Sequence, residues 1–550
     1  MKISYSMKTG MLFLKLDDTI PVETLKENLV CWKRYGPDPT FLQAQGLTLA
    51  YNEAKEFIPN LVLGASMENF FIDRKSESHA PDHVTLPGLK PVQVKPTWLL
   101  KNRQRAILTA TPGLGKTVMT LTALNQTSPE FTLIVCSKSL VDNWHEELNT
   151  WWFINAKATG LRTRVTLWHT RKEAEPYTFI PGCFNVLITT LETITALFKE
   201  ERIDEFIPDG GYNSTLVLDE SFLVKNRNAQ RSEPMVLLAS KFDRAWLLSG
   251  MPISRFSDDL YMQLRILYPK VFTSYWRFVH RYCFTEMHTW GESVIEDKPG
   301  ATEKLQNDLG DILIPCEFPD DVPDWIPVTV EVEMHEDQVA IYEQLAAEKK
   351  VEASKMKRDE PLTLKALISL TGRLLQIASN PMLVGGPYAE GKWSKLLEML
   401  ATEELPALVW VAYTVTGHAL AERIQENFPH LSVGIMDGST PVAERTRLKK
   451  MFQSGLLSVL IVHPGVGKYG HTLTAAKVAY YLERSWDAEA YFQTLFRARR
   501  ITSKHSVKLV YLLSTLPGGK PTIDHLVHNK LTKRSKNAMK LSARELIGSL

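Results

Sequence analysis

Residues 110–117 have the residue types and spacing that can hold phosphate. They read Ala-Thr-Pro-Gly-Leu-Gly-Lys-Thr, a small residue and four spacers followed by Gly-Lys-Thr. Glycines let the backbone wrap closely around a phosphate, and the N–H groups of the loop and of a following helix supply donors and positive potential. We therefore expect Lys116 to contact the β and γ oxygens of ATP, and Thr117 to ligate Mg²⁺. The expected loop contacts are Ala110, Thr111, Pro112, Gly113, Leu114, Gly115, Lys116 and Thr117.

The flanking sequence decides between a phosphate-binding loop and a glycine-rich turn without function. An apolar run at 106–108 precedes the loop, and a second apolar stretch at 118–124 follows it. The first run predicts a strand and the second a helix, which is the context that a phosphate loop requires. The sequence therefore favours a nucleotide site over a chance turn.

Two adjacent carboxylates follow another apolar run. Asp219 and Glu220 come directly after residues 216–218, which read Leu-Val-Leu. Downstream of a phosphate loop, this is where a metal ion and an attacking water must be handled. We expect Asp219 to hold Mg²⁺, and Glu220 to orient or deprotonate the water. A surface acidic turn is the alternative, and the presence of Lys116 makes it less favourable.

Arginines near the C-terminal end provide a third candidate group. Residues 493–501 read Gln-Thr-Leu-Phe-Arg-Ala-Arg-Arg-Ile, and Gln493 joins Arg497 and Arg500 as a candidate catalytic residue. The two arginines are three residues apart, so on a helix they share one face. They could reach the γ-phosphate and stabilise charge in the transition state. A basic surface helix is the alternative.

These residues need a scaffold, and the chain alternates apolar strands with helices in two regions. The strands predicted between Leu89 and Tyr268 are 106–108, 133–136, 165–168, 186–188, 215–218 and 245–248. Those predicted in the second region are 407–412, 432–436, 459–462, 478–482 and 507–513. Such alternation predicts parallel sheets with helices on both faces, in which ligands lie at the carboxyl ends of the strands.

The remaining segments differ in pattern. In the N-terminal part, residues 3–5 and 11–14 predict strands, 22–34 a helix, and the polar, proline-bearing stretch 73–88 a linker. Between the two α/β regions the chain is helix-rich, with one strand predicted at 328–334. The resulting domains are an N-terminal module (1–87), a first lobe (88–268), a helix-rich insertion (269–390), a second lobe (391–515) and a basic C-terminal helix (516–550).

Composition limits the location and the partners. Hydrophobic content of 44% and charged content of 23% are those of a soluble globular protein. No apolar run approaches the ~18–20 residues of a membrane span, and the N-terminal residues lack a signal-peptide core, so we expect a cytoplasmic protein. The net charge is only +2, so a polyanion must meet a local basic patch. Residues 520–550 carry seven Lys or Arg against two acidic residues, and a solvated helix face is an equally good interpretation of them.

The motifs, taken in order, resemble those of superfamily 2 helicase-like motors, and specifically the SNF2-type translocases. The likeness covers about residues 89–550. Residues 89–93 resemble the motif that reads adenine, with Gln93 as its glutamine, and 219–226 resemble the acidic motif with its Lys-Asn pair. The other matching segments are 133–140 with Trp144, 189–192, 249–252, 259–261, 264–269, 374–381, 436–440, Gly467 with Gly470, 473–476, and Trp486 with 493–501.

Three positions depart from the family's pattern. Phe222 stands where the family has a histidine thought to couple the nucleotide and nucleic-acid sites, Met251 replaces a hydroxyl-bearing residue, and Phe496 replaces a glycine. None of them alters Lys116 or Glu220. They put the efficiency of coupling in doubt more than hydrolysis.

The resemblance implies an α/β fold with two RecA-like parallel-sheet lobes (a P-loop NTPase), a helical insertion and a small N-terminal α+β module. It implies ATP and Mg²⁺ between the lobes, arginine fingers from the second lobe, and nucleic acid across both lobes. The candidate backbone contacts are Lys138, Thr189, Thr190 and Thr474. Hydroxyl and ammonium groups suit phosphates and carry no base information. For each threonine, a structural role in a strand or helix cap is about equally favoured.

The function expected from the resemblance is a DNA-stimulated ATPase that translocates on duplex DNA and remodels branched DNA or DNA–protein complexes. Compact motors of this kind resemble those of bacteria and their phages. If the protein is encoded by a phage, the expected location is the host cytoplasm. We expect a monomer without a membrane partner. A strand-separating DNA or RNA helicase is the first alternative, so RNA is not excluded. An ATP-gated DNA-binding scaffold with little hydrolysis is the second, favoured by Phe222 and Met251.

Overall fold

A computed structural model of the chain describes residues 1–6, 11–16, 31–34, 41–45, 47–58, 61–68, 88–159, 162–207, 211–289, 291–355, 361–467 and 472–540. It divides into two compact units, one of Met1–Phe318 with Asn537–Leu550 and one of Pro319–Lys536. The division lies inside the segment 269–390 that the sequence suggested as an insertion. None of the helices in the described ranges combines the length and the apolar character needed to cross a bilayer.

The N-terminal part of the first unit is a small five-stranded sheet with one helix. Its elements are β1 (Lys2–Ser6), β2 (Met11–Lys15), β3 (Lys33–Arg34), β4 (Phe41–Gln45), α1 (Thr48–Phe57) and β5 (Val62–Leu63). The strand order is β3-β4-β2-β1-β5, with only β1 and β5 parallel. The strands predicted at 3–5 and 11–14 are confirmed. The helix predicted at 22–34 is wrong at Lys33–Arg34, which form strand β3 of the sheet. Residues 22–30 of that prediction lie outside the described residues, and so does the predicted linker apart from Gly88.

The first lobe is a seven-stranded parallel sheet covered by helices. Its strands and the hairpin β12–β13 are β6 (Arg105–Ala110), β7 (Phe131–Cys136), β8 (Arg162–Trp168), β9 (Cys183–Thr190), β10 (Ser214–Leu218), β11 (Arg244–Ser249), β12 (Cys283–His288), β13 (Gly291–Asp297) and β14 (Leu313–Cys316). The helices are α2 (Pro91–Asn102), α3 (Lys116–Thr127), α4 (Val141–Thr159), α5 (Leu191–Lys199), α6 (Ile203–Phe206), α7 (Ser232–Ser240), α8 (Tyr261–Leu267), α9 (Tyr275–Tyr282) and α10 (Ala301–Leu309).

The order of this sheet brings the candidate residues to one edge. It runs β14-β6-β11-β10-β7-β9-β8, and every pairing is parallel. Each residue of β7 and β10 is buried, which is typical of strands covered on both faces. All six strands predicted for the first lobe are confirmed. The phosphate loop follows β6 and the carboxylates follow β10, so only β11 separates them at the carboxyl edge.

Strand β14 was not predicted. It lies in the stretch that the sequence assigned to a helix-rich insertion, and it pairs with β6 through Leu313–Ile107 and the three following pairs. Pro315 within so short a run argues against a strand, because proline cannot donate to a ladder. The strand is nevertheless allowed because it lies at the edge of the sheet, next to β6 alone.

The N-terminal module is fastened to the first lobe by polar contacts between α1 and the α9–α10 region. The Thr48 N–H donates to Asp311 Oδ2 over 3.0 Å, and Asn52 Nδ2 donates to Asp308 Oδ1 over 3.0 Å. Arg281 pairs with Asp308 at 2.8 Å and with Glu56 at 2.9 Å. The Arg281 and Asp308 side chains are almost fully buried, and breaking such a pair costs about 3–5 kcal/mol. The module therefore has a fixed place on this lobe.

The second unit is built on another parallel sheet. Its strands are β15 (Trp325–Glu333), β16 (Ala407–Trp410), β17 (Val433–Met436), β18 (Val459–Val462), β19 (Val478–Tyr481), β20 (Val507–Leu516) and β21 (Lys520–Pro521). Its helices are α11 (Glu336–Lys355), α12 (Pro361–Ser379), α13 (Gly391–Leu400), α14 (Thr414–Asn427), α15 (Val442–Gln453), α16 (Pro464–Gly467), α17 (Ala488–Leu495) and α18 (Ile523–Lys540). The order is β15-β20-β19-β16-β18-β17, all parallel, with β21 antiparallel to β20. The strands predicted here, including the one at 328–334, are confirmed.

The start of the C-terminal helix α18 is anchored in this unit by a buried ion pair. Lys392 Nζ lies 2.8 Å from Asp524 Oδ2, and the two side chains are 1% and 8% exposed. The same oxygen accepts the Ser514 N–H over 3.0 Å. The first turn of α18 is therefore held against β20, whatever the role of the basic residues that follow it.

Candidate functional site

The predicted phosphate loop lies between β6 and α3. Gly113 and Gly115 have φ values of +92° and +80°, which L side chains rarely adopt. A Cβ on Gly115 would come 2.6 Å from Gln93 Nε2, so the loop needs glycine there for space as well. Gly115 is also the N-cap residue of α3, and the first N–H groups of a helix have no partner within the helix. These residues fit a phosphate group.

Lys116 lies over this loop and meets the end of β11. Its Nζ donates to the Ala110 carbonyl over 3.3 Å. A Cβ on Gly250 would come 3.3 Å from the same Nζ and 2.6 Å from Pro112 Cγ. Only glycine therefore lets the segment that follows β11 approach the loop so closely. The sequence placed these two motifs in one pattern, and the structure brings them into contact.

Asp219 is buried and held in direction at both oxygens. Its Oδ2 accepts the Trp144 indole N–H over 2.8 Å, and its Oδ1 accepts the Glu220 N–H over 2.9 Å. Burial raises the pKa of Asp219 to about 6; the Glu220 charge adds to this rise, and the Lys116 charge opposes it. The sheet order places the loop and the carboxylates at the same carboxyl edge, with only β11 between them. Burial disfavours the ionised form of the Asp219 carboxylate. A divalent cation beside it would favour that form again, so the position suits a metal ligand.

Glu220 has a left-handed backbone conformation, with φ of +49° and ψ of +53°. A non-glycine residue in this region is uncommon, and such strain persists only where the surrounding structure imposes it. It turns the chain sharply from β10 into the short 3₁₀ helix Ser221–Val224. The Glu220 side chain is 9% exposed and lies beside Asp219 at the carboxyl edge.

Gln93 positions the loop through both ends of its amide. Its Nε2 donates to the Leu114 carbonyl over 2.7 Å, and its Oε1 accepts the Lys90 N–H over 2.8 Å. The side chain is 4% exposed. The amide thereby links α2 to the loop, and the contact with adenine stays a prediction.

A buried glutamine that the sequence did not single out joins two of the motifs. Gln263 lies in α8 and is fully buried. The Ser221 hydroxyl donates to its Oε1 over 2.8 Å, and its Nε2 donates to the Pro252 carbonyl over 2.8 Å. These two hydrogen bonds connect the segment after Glu220 with the segment after β11. One signal was available: a polar residue on an otherwise apolar helix face needs a partner.

Removing that link is expected to destabilise the first lobe. Gln263→Leu leaves the Ser221 hydroxyl and the Pro252 carbonyl without their buried partner, a loss of about 2–4 kcal/mol. Ser221→Ala removes one of the two hydrogen bonds and is expected to cost about 1–2 kcal/mol. The midpoint of urea unfolding, followed by tryptophan fluorescence, measures both losses. Wild-type midpoints for both variants would contradict the link.

Phe222 and Met251, two departures from the family's pattern, are core residues. Phe222 is 2% exposed and Met251 is 1% exposed. Both are apolar where the resemblance leads one to expect polar groups, so they bury surface and cannot form a polar bridge. The hydrogen bonds of Gln263 provide one polar connection between these two segments, and the contact of Lys225 with Ser254 provides another.

The predicted nucleic-acid contacts divide into two groups. Lys138 is exposed at the start of a 3₁₀ helix after β7, and Thr474 is half-buried and accepts from Gln453 Nε2 over 3.1 Å. Thr189 is buried and donates to the Trp168 carbonyl over 3.2 Å. Thr190 is buried too, and its hydroxyl caps α5 by accepting the Thr193 N–H. Of the two roles weighed for these threonines, the structure favours the strand and cap roles for Thr189 and Thr190.

The candidate arginines do not share a helix face. Helix α17 ends at Leu495, so Arg497 and Arg500 both follow its C-terminus, and that expectation was wrong. Arg497 is 5% exposed, and its Nη2 donates to Gln493 Oε1 over 2.8 Å. Arg500 is half-buried, and its N–H donates to Ser503 Oγ over 2.8 Å. Gln493 thus positions Arg497 rather than facing outward.

Phe496 fills space against the start of β15. Its ring lies 4.9 Å from that of Trp325 and 5.0 Å from that of Phe492, between centroids. The side chain is 1% exposed. The departure from glycine at this position therefore serves packing of the segment that carries the arginines.

Comparison with known proteins agrees with this arrangement. The profile of the SNF2-related domain matches residues 92–383, and that of the helicase conserved C-terminal domain matches residues 391–502. The chain is 25% identical over 445 residues to the DNA annealing helicase and endonuclease ZRANB3 of Bos taurus, covering 80% of this chain and 39% of the relative. It is 23% identical over 489 residues to the ISWI chromatin-remodeling complex ATPase ISW1 of Saccharomyces cerevisiae, covering 82% of this chain and 40% of the relative.

Among solved structures, the Sulfolobus solfataricus SWI2/SNF2 ATPase core in complex with dsDNA matches with 20% identity and a TM-score of 0.37. The match covers 79% of this chain and 90% of that chain. The present chain spans about two fifths of the length of the curated relatives that it matches. The resemblance drawn from the motifs is confirmed, because the first profile alone matches more than half of the sequence. The chain belongs to the SNF2-related domain family, with two RecA-like parallel-sheet lobes.

Proposed function

We propose that the protein is an ATP-dependent DNA motor: a DNA-stimulated ATPase that translocates on duplex DNA and remodels branched DNA or DNA–protein complexes. The observation that carries the proposal is the sheet order of the first lobe, which places the Lys116 loop after β6 and buried Asp219 after β10 at one carboxyl edge, with only β11 between them. Family membership supports the ATPase activity. The names of the relatives, a DNA annealing helicase and a chromatin-remodelling ATPase, support DNA as the partner.

The first lobe binds the triphosphate. Lys116 contacts the β and γ oxygens, and the N–H groups of the loop and of the α3 N-terminus donate to the phosphates. Gly113 and Gly115 leave room for this approach, because they have no side chains. Their positive φ values are easy for glycine and unfavourable for other residues. Gln93 holds the loop from α2 through its hydrogen bond to the Leu114 carbonyl. We keep it as the residue proposed to contact adenine.

The carboxylates act on the metal and the water. Thr117 and Asp219 would hold Mg²⁺, which would supply positive charge to the phosphate groups. Glu220 accepts the proton of the attacking water or orients it. The Trp144 and Glu220 N–H groups keep the Asp219 carboxylate in one direction.

The second lobe contributes the positive charge that hydrolysis needs. We assign this role to Arg500, one of the two arginines of the 493–501 motif. The other, Arg497, donates to Gln493 within its own lobe. Arg497 and Gln493 then position the segment. Hydrolysis depends on lobe closure in this scheme, which couples turnover to nucleic-acid binding.

Nucleic acid binds through its backbone. Lys138 of the first lobe and Thr474 of the second are the proposed phosphate contacts, and neither reads a base. Thr189 and Thr190 are not assigned to this contact, because their hydroxyls bond inside the first lobe to the Trp168 carbonyl and the Thr193 N–H. Sequence-independent contacts are what a tracking motor requires.

The stimulation of ATP hydrolysis by different nucleic acids tests the proposal. Steady-state turnover is measured with duplex DNA, branched DNA, single-stranded DNA and RNA at equal phosphate concentration. We expect the largest stimulation with duplex or branched DNA. Preference for single strands or RNA would favour a strand-separating helicase, and DNA binding with turnover at background would favour a scaffold.

Glu220→Gln tests the assignment of the base. The variant keeps the size of the side chain but cannot accept a proton, so kcat is expected to fall by about 10²–10⁴. Binding of a fluorescent ATP analogue is expected to stay close to that of the wild type. Glu175→Gln, at an exposed position of the same lobe outside the motifs, is a matched control that should turn over normally. A wild-type kcat for Glu220→Gln would place the base elsewhere.

A further inference from the structure

Trp144 makes an unusual contact for a buried tryptophan. It is 1% exposed in α4, and its indole N–H donates to the carboxylate of Asp219 over 2.8 Å. Trp246, which is equally buried in β11, instead donates to the backbone carbonyl of Arg103 over 2.9 Å. A backbone carbonyl would be a sufficient partner for a buried indole N–H and would leave the Asp219 carboxylate unconstrained. Trp144 therefore constrains a side chain that the reaction needs.

The chain between β7 and Trp144 begins and ends beside Asp219. At its beginning, the Asp219 N–H donates to the Val135 carbonyl over 2.8 Å, near the end of β7. The chain then leaves the sheet, exposes Lys138 and Ser139, and returns to the core at Val141. We call residues 137–140 the tip. Trp144 lies about one helical turn further along α4.

The tip is held together by its own hydrogen bonds. The Leu140 N–H donates to the Ser137 carbonyl over 2.9 Å, and the hydroxyls of Ser137 and Ser139 lie 3.2 Å apart. The tip is bounded by two buried residues, Cys136 and Val141. Only a few rotatable bonds therefore separate its exposed face from Trp144 in the first turn of α4.

We propose that Trp144 is a positioning residue that couples nucleic acid bound at the tip to the orientation of the Asp219 carboxylate. The inference rests on the proposed function, because it needs phosphate at Lys138 and a metal at Asp219. A carboxylate that ligates a metal depends on the donors around it, and removing such a donor costs about 10–100-fold in affinity or activity. Binding at the tip restrains α4, and the indole N–H passes this restraint to Asp219.

Trp144→Phe tests the coupling, since it removes the N–H and keeps an aromatic ring in the core. We expect the ratio of duplex-stimulated to basal kcat to fall about 10-fold or more, towards one. Affinity for a fluorescent duplex, measured by anisotropy, is expected to stay as in the wild type, because Trp144 is buried. Trp246→Phe, the matched control, removes an indole N–H that faces a carbonyl and should keep the wild-type ratio.

A second variant reaches the same link without touching the core. Leu140→Gly loosens the tip where it joins α4 and leaves the indole in place, so it is expected to lower the stimulation ratio as well. This variant decides the question if Trp144→Phe does not fold.

Each outcome bears on the inference. A wild-type ratio in Trp144→Phe or in folded Leu140→Gly would overturn the coupling. Equal loss of basal and stimulated rates in Trp144→Phe would overturn it too, because the indole would then only support Asp219. Absence of stimulation in the wild type by any nucleic acid would refute the proposed function, and the inference with it. Failure of the coupling alone is thus distinguishable from failure of the proposed function.

Discussion

Replacing Lys116 with alanine is expected to reduce ATP turnover to background while the fold stays intact. In the proposed mechanism the Lys116 ammonium contacts the β and γ oxygens, and the loop 110–117 carries no other charged side chain. Steady-state phosphate release with and without duplex DNA measures the loss. Binding of ATP is expected to weaken as well, because the same contact exists before the transition state.

The fold is expected to tolerate this change. In the described structure Lys116 Nζ makes one hydrogen bond, to the Ala110 carbonyl over 3.3 Å, and the pair is only partly buried. Its loss should lower the free energy of unfolding by about 1 kcal/mol or less. Lys172→Ala, an exposed lysine of the same lobe, is the matched control and should turn over normally. Full activity of Lys116→Ala would remove the loop from the mechanism.

Regular apolar runs made most of the two sheets predictable. Strands such as β7 and β10 are buried on both faces, so their sequences are continuously apolar and stand out between helices. The sequence of strand β14 lacks such a continuous apolar run, because it contains a proline. An edge strand tolerates proline, since it pairs with only one neighbouring strand. Whether Leu313–Cys316 joins the first sheet depends on tertiary packing against β6, which no local pattern contains.

Motif spacing indicated which residues are candidates for the site, but it did not indicate how exposed their side chains are. Thr189 and Thr190 have the hydroxyls that a phosphate contact needs, yet both are buried and bonded inside the lobe. Arg497 and Arg500 have helical spacing, yet the helix ends before them at Leu495. The Trp144–Asp219 contact joins residues 75 positions apart, and only the sheet order brings them together.

The segment after α17 offers a matched set of arginines for testing the charge that the second lobe supplies. Arg499 is engaged inside its lobe: its Nε donates to the Pro323 carbonyl over 2.9 Å, and its guanidinium lies 5.0 Å from the Trp325 ring. Burial lowers the pKa of Arg499, and the Asp324 charge opposes this. Arg499→Ala is therefore expected to lower the stability of the second lobe and leave kcat per folded molecule unchanged.

Arg500→Ala is expected to have the opposite profile. ATP binding should stay nearly intact, because the first lobe holds the phosphates, while kcat should fall by about 10³ or more through loss of charge stabilisation in the transition state. Equilibrium binding of a fluorescent ATP analogue and single-turnover hydrolysis separate the two effects. The assignment fails if binding is lost while kcat holds, or if Arg499→Ala reduces kcat as much as Arg500→Ala. In either case the positive charge that stabilises the transition state of hydrolysis comes from a residue other than Arg500.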